Sequence, residues 1–174
     1  MRSTDARRVL GIDPSLNRTG WAVIEQPLSA GLTQVAGGVL APRPGSRAER
    51  LLEIKHGLEY VLDQHKPQEA YIESPGAWQR RGGTRRETLE VLGMARGVML
   101  TACAEARINP IEAHFTTVRS ALLGRANPRA QEMIDFIDSE GLPVPCRPRG
   151  GCDFDIVNAI LMALYGLSRG EVMH

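Results

Sequence analysis

Arg8-Val9-Leu10-Gly11-Ile12-Asp13 is a short apolar run that ends in an acid, the pattern of a central strand buried on both faces. Pro14-Ser15-Leu16-Asn17-Arg18 turns the chain, and Thr19 to Glu25 (Thr-Gly-Trp-Ala-Val-Ile-Glu) reads as a second strand. A third strand is predicted from Gln34 to Ala41. Strands so close in sequence should pair as an antiparallel meander.

Outward from this hairpin the pattern changes to helix. After Pro42-Arg43-Pro44-Gly45, Ser46 is a candidate N-cap. Leu51, Ile54, Leu58, Val61 and Leu62 then recur at helical spacing until Pro67 stops the run. Ala70-Tyr71-Ile72-Glu73 is a fourth strand, again ending in an acid. A helix is predicted from Arg86 to Arg107, with Leu89, Leu92, Val98, Met99 and Ala102 on or near one face. Its Gly93 and Gly97 would let it lie close to a neighbouring backbone. Pro110 to His114 is a fifth strand, and helices follow over Thr116 to Leu123 and Pro128 to Ser139. After Pro143 to Gly151, a last helix runs from Asp153 to Leu167. This order predicts one α/β layer domain over residues 1–174, with a mixed sheet of three antiparallel strands and then two parallel ones.

Composition limits the function. The 174 residues carry a formal net charge of only +1, so the chain is not a basic coat for nucleic acid. Lys55 and Lys66 are the only lysines, and the rest of the positive charge is arginine. Cys103, Cys146 and Cys152 are too few for a disulfide framework and lack the partners of a zinc site, so they read as reduced structural thiols. Met94, Met99, Met133 and Met162 read as core filler. No apolar run is long enough to cross a bilayer, and the opening residues lack the apolar stretch of a secretory signal. The expected location is the cytoplasm, or the host cytoplasm for a viral protein.

Asp13 and Glu73 end strands, and Asp155 opens the last helix with Asn158 one turn on. Residues three apart on a helix share a side, so Asp155 and Asn158 can face one target. Oxygen ligands converging from separate elements suit a hard cation, Mg²⁺ or Mn²⁺. Such ions serve phosphodiester hydrolysis, typically as a pair roughly 4 Å apart. Any one of these acids could equally be a solvated strand end.

Between Glu73 and the next helix lies Trp78-Gln79-Arg80-Arg81-Gly82-Gly83-Thr84-Arg85-Arg86. Arginines contact phosphates, and tryptophan stacks on unpaired bases for about 1–3 kcal/mol per base. Trp78 could instead pack back on the domain, but so polar a setting favours stacking. Arg119, Arg125 and Arg129 form a second basic group. His114 at a strand end is given no role.

Here the chain resembles a known family. Gly11-Ile12-Asp13-Pro14-Ser15, then Thr19-Gly20-Trp21-Ala22-Val23-Ile24, is similar to the opening of RuvC Holliday-junction resolvases. Ile72-Glu73, Gly93-Met94-Ala95-Arg96-Gly97-Val98, Val118-Arg119 through Gly124, and Asp155-Ile-Val-Asn158-Ala159 match further family motifs in order. The resemblance covers Val9 to about Leu167. It implies an RNase H-like fold, a five-stranded mixed sheet flanked by helices, in a homodimer whose two sites face one junction. Carried over by position, Asp13, Glu73, Asp155 and Asn158 are metal-binding and catalytic, with Mg²⁺ or Mn²⁺, two per site. Asn158 stands where the family has an acid, so the second cation would bind more weakly or borrow Asp153. Asp153 as the helix N-cap is the reading we favour. Trp78 falls where the family places a loop aromatic near the crossover, and Arg119 replaces a family lysine. Trp78, Arg80, Arg81, Arg85, Arg86, Arg119, Arg125 and Arg129 are the expected DNA contacts, and branched DNA is the expected partner.

Two other readings stay open. One is a nuclease of the same fold acting on flaps, forks or structured RNA. The other is a junction-binding protein weak in catalysis, for which Asn158 is the best support. The divergence from the family pattern leans towards a phage or plasmid origin.

Overall fold

The computed structural model describes residues 6–27, 31–74, 86–145 and 150–170. Its strands are β1 (Arg7–Asp13), β2 (Thr19–Gln26), β3 (Thr33–Leu40), β4 (Glu69–Ser74) and β5 (Ile111–His114). Its helices are α1 (Arg47–His65), α2 (Arg86–Glu105), α3 (Phe115–Leu123), α4 (Ala130–Ser139) and α5 (Phe154–Gly170). They form one five-stranded sheet in the order β3-β2-β1-β4-β5. β1 pairs antiparallel with β2 and parallel with β4, and β5 adds parallel to β4. The predicted meander and the mixed sheet are both there.

The alternation of side chains along a strand sorts the sheet into two cores. Val9, Ala22, Ile24, Tyr71 and Ala113 face α3, α4 and α5. Leu10, Ile12, Val23, Ala70 and Ile72 face α1 and α2. β1 is therefore covered on both sides, as its unbroken apolar run requires. Ser46 caps α1: its hydroxyl accepts the Glu49 N–H at 3.3 Å, and the Glu49 carboxylate accepts the Ser46 N–H at 2.7 Å. This reciprocal pair satisfies two donors that the helix start leaves open.

α5 is the most tightly seated helix. A Cβ on Gly11 would lie 1.9 Å from the Ala159 carbonyl oxygen, and one on Gly20 would lie 1.9 Å from that of Asp155. Both obstructions are backbone, so no rotamer could relieve them. Towards its C-terminus, α5 is tied to the sheet by Arg7. That guanidinium donates to the carbonyls of Leu167 (2.9 Å) and Gly166 (3.0 Å) and pairs with Glu69.

α2 departs from the sequence reading. Its buried stripe is Ala95, Met99, Ala102 and Cys103, while Leu89, Leu92 and Val98 are half-buried. Among the described residues, nothing lies within 4 Å of a Cβ added at Gly93 or Gly97, so they serve no close helix contact there. Met94 is 43% exposed, not core, because it precedes the buried stripe by one residue and looks outward. Met99, Met133 and Met162 are buried as expected. Cys103 and Cys152 are free thiols, and burial pushes Cys103 up to about 11, an unreactive value. Cys146 lies outside the described residues.

Gly11→Ala should cost about 3 kcal/mol, the upper range for overpacking a tight contact, because it must lift α5 off β1. Gly93→Ala, in open space within a helix, should instead gain up to about 1 kcal/mol. Urea denaturation of both variants checks the pair. Equal effects would mean that α5 is not seated as described.

Candidate active site

β1 and β4 run parallel with Ile12 beside Ile72, so the next residues along, Asp13 and Glu73, end the two strands side by side. Alternation puts both on the α5 face, with Gly11 and Tyr71 two residues before them. Their carboxyl groups lie within hydrogen-bonding reach of each other. From above, the first turns of α5 bring Asn158, whose Nδ2 donates to Asp13 Oδ2 at 2.9 Å. Three of the four expected residues therefore meet.

The fourth, Asp155, lies beside the group but is turned aside. Its Oδ2 accepts from Arg18 Nε at 2.7 Å. Arg18 Nη2 also donates to Asp153 Oδ2 at 2.7 Å. Asp153 is buried and sits one residue before α5. Its Oδ1 accepts the Asp155 N–H at 3.3 Å, and its carbonyl accepts from Val157 at 2.9 Å. It is the N-cap, as favoured above. Sequence reasoning missed the role of Arg18. Its partners lie 135 and 137 residues away, so no local spacing could signal it.

Burial raises the pKa of Asp13 well above its ordinary value, and the neighbouring Glu73 raises it further; the Asn158 amide opposes this. Burial raises Glu73 as well, against the hydrogen bond from Asp13 and the positive potential of Arg119 and His114. Two like charges cannot both ionise cheaply at such separation, so without a cation both carboxyl groups are held above the ordinary carboxylate range. The Arg119 guanidinium lies over the Phe115 ring, 4.1 Å from its centroid. Desolvation lowers its pKa while Glu73 and Asp13 sustain its charge. His114 Nδ1 is 3.2 Å from the Ser74 carbonyl and so braces the end of β4. Arg96 bridges Glu112 at 3.0 Å on the next strand.

Among the described residues, the buried acceptor left without a partner beside the acids is on Asn158. Asn158 Oδ1 is buried and accepts no hydrogen bond. Buried acceptors are normally satisfied, and a hard cation between Asp13 and Glu73 would supply what this oxygen lacks. The oxygen-only donor set suits Mg²⁺ or Mn²⁺. Among the described residues, no three His, Cys, Asp or Glu side chains gather as a metal cluster. Asn158 is an amide, and the Asp155 carboxylate is paired with Arg18.

Of the expected DNA contacts, Arg119 stands beside the acids. Arg125 pairs with Glu132 at 3.0 Å, and Arg129 is the cap residue just before α4, its N–H donating to the same carboxylate at 2.5 Å. Trp78, Arg80, Arg81 and Arg85 lie outside the described residues, as does the side chain of Arg86. Among the described residues no helix is long and apolar enough to cross a membrane.

The family described as crossover junction endodeoxyribonuclease RuvC matches residues 9–149, which takes in Asp13 and Glu73. Over 171 residues the chain is 33% identical to the crossover junction endodeoxyribonuclease RuvC of Ruegeria pomeroyi, covering 95% of this chain and 98% of that one. Over 118 residues it is 39% identical to that of Azorhizobium caulinodans, covering 67% of this chain and 66% of the relative. T. thermophilus RuvC in complex with Holliday junction substrate shares the backbone fold at a TM-score of 0.79. There the identity is 22%, and 94% of each chain is covered.

The acid pair makes a pH prediction. A carboxyl whose folded pKa is raised stabilises the fold below its unfolded pKa, and that stability is lost as pH rises through the folded value. In chelator, the protein should therefore lose stability from the ordinary carboxylate range upward. Asp13→Asn should be more stable than the native chain at pH 8, by roughly 1–2 kcal/mol, and nearly equal to it at pH 4.5. Denaturation at both pH values checks this; an equal difference at both would refute the buried, repelling pair.

Proposed function

Because the chain belongs to the crossover junction endodeoxyribonuclease RuvC family, we propose that it resolves four-way DNA junctions by metal-dependent phosphodiester hydrolysis. The single observation that carries the site is the meeting of Asp13, Glu73 and the unpartnered Asn158 oxygen at the ends of β1 and β4. These residues would hold Mg²⁺ or Mn²⁺. Such an ion activates water and stabilises the leaving oxygen of the phosphodiester. The predicted second ion would need Asp155, whose carboxylate is paired with Arg18.

The protein side of the reaction follows from the residues. Asp13 and Glu73 supply the negative charge that fixes the cation, and their burial keeps it from being shared with water. Arg119, held on Phe115 beside them, would take one oxygen of the scissile phosphate. Arg125 and Arg129 would grip phosphates further along the duplex, with Arg125 first exchanging Glu132 for phosphate. The loop of Trp78, Arg80, Arg81, Arg85 and Arg86 would engage the unpaired or distorted bases at the crossover. Resolution needs two symmetric cuts, which a homodimer with one such centre per chain would make.

A second reading is a junction binder that has lost cleavage, favoured by the amide at Asn158. One assay separates the two. With Mg²⁺ or Mn²⁺ and a synthetic four-way junction, Asp13→Asn and Glu73→Gln should each lower cleavage at least about a thousandfold, comparable to removing a major electrostatic group. Junction affinity in a gel-shift assay should stay within a few-fold. No cleavage by the native chain, with tight salt-sensitive binding, would favour the second reading. Cleavage by Asp13→Asn at the native rate would overturn the site assignment.

A further inference from the structure

We propose that in the DNA-free protein Arg18 takes the place of a second divalent cation beside Asp155, so that the resting site holds a single ion between Asp13, Glu73 and Asn158. The inference rests on the functional reading above for the location of the metal. It adds that the stoichiometry is set by an arginine in the turn between β1 and β2.

The first support is the geometry of the guanidinium. Nε and Nη2 each donate at 2.7 Å, one to Asp155 and the other to Asp153. A planar fork that spans two carboxylates is a use to which arginine is suited and lysine is not. The second is that the turn carrying Arg18 is fastened. The Ser15 hydroxyl accepts from the N–H of Asn17 at 3.2 Å and of Arg18 at 3.3 Å. Thr19 Oγ1 donates to the Ser15 carbonyl at 2.6 Å. Arg50, reaching from α1, donates to the Leu16 carbonyl at 3.1 Å and to the Asn17 side chain. The third is the spacing of the two elements. Gly20, two residues after Arg18, touches the Asp155 backbone, which keeps the turn within an arginine's reach of the first turn of α5.

Charge adds to the case. Arg18 offsets one of the two carboxylates it bridges, Asp153 and Asp155, Asn158 brings no charge, and Asp13 with Glu73 matches one divalent ion. A second dication at Asp155 would have to displace a guanidinium already bound through two charge-assisted hydrogen bonds, and would meet its repulsion on approach.

The test is a Mn²⁺ titration of the full chain without DNA, followed by calorimetry and by the loss of the free-ion electron paramagnetic resonance signal. The native protein should bind one Mn²⁺ per chain. Arg18→Ala should bind two, and the added ion should vanish in the Arg18→Ala/Asp155→Asn double variant. Arg18→Gln keeps side-chain length and hydrogen-bond donors while losing the charge, and it too should bind two; circular dichroism confirms that the variants are folded. Two ions of similar affinity in the native protein would overturn the inference. So would a single ion in both Arg18 variants, or an added ion that survives loss of the Asp155 charge. Failure of the underlying reading looks different: no Mn²⁺ bound to the native chain, or a titration unchanged by Asp13→Asn, would remove the metal site itself and the inference with it.

Discussion

The backbone of α5 lies against β1 and β2 at a distance that no side chain permits. Gly11 and Gly20 provide the two places where strand and helix meet without a Cβ between them. This contact sets the height of α5 above the sheet, and everything at the site inherits that height. Asn158 belongs to the same turn as Ala159, which sits on Gly11, so its amide arrives at hydrogen-bonding distance from Asp13, two residues along the strand. Asp155, over Gly20, is fixed in the same way relative to the turn that carries Arg18. A helix held even one methyl group higher would separate the acids from their partners. Small misplacements of this kind are costly at reactive centres.

The same seating explains how the fold tolerates two adjacent carboxyl groups in a largely buried position. Like charges taken out of water oppose folding, and the sheet ends would be more stable with apolar residues there. The surrounding core offsets the cost: Val9, Ala22, Ile24, Tyr71 and much of α5 form a continuous apolar layer beneath the site. A site of this kind is unfavourable when empty and would be favourable with a cation to neutralise it, so under the proposed function its instability and its affinity for metal would be two consequences of one arrangement.

Much of this was legible in the sequence, because it follows from period and from chain ends. The apolar run Val9 to Ile12, closed by Asp13, and Ala70 to Ile72, closed by Glu73, read as two buried strands each ending in an acid; that the two lie side by side and parallel came only with the sheet order. The Ser46 cap and the stop at Pro67 likewise follow local rules. What escaped was the tertiary part. Gly11 and Gly20 look like ordinary strand glycines until a helix is placed on them, whereas Gly93 and Gly97, whose spacing suggested a close contact, make none among the described residues. The bond of Arg18 to Asp153 and Asp155 joins the two ends of the chain, beyond the reach of any spacing rule. Met94 resembled core because residue type was read without knowing which stripe of α2 turns inward.

The basic side of the site is constrained as tightly as the acidic side. Arg119 occupies a position where the family resemblance leads one to expect lysine, and its surroundings account for what arginine can do there. It is half-buried, lies over the Phe115 ring and has Glu73 and Asp13 as its charged neighbours. Desolvation of that degree can strip a proton from an ammonium, but a guanidinium keeps its charge. A lysine at this place could exchange a proton with the reacting groups; Arg119 can only supply positive charge in a fixed plane. Under the proposed function, whatever it contributes to cleavage would therefore be electrostatic, acting on the phosphate oxygens, and the proton of an attacking water would leave by another route, through the carboxyl pair or into solvent.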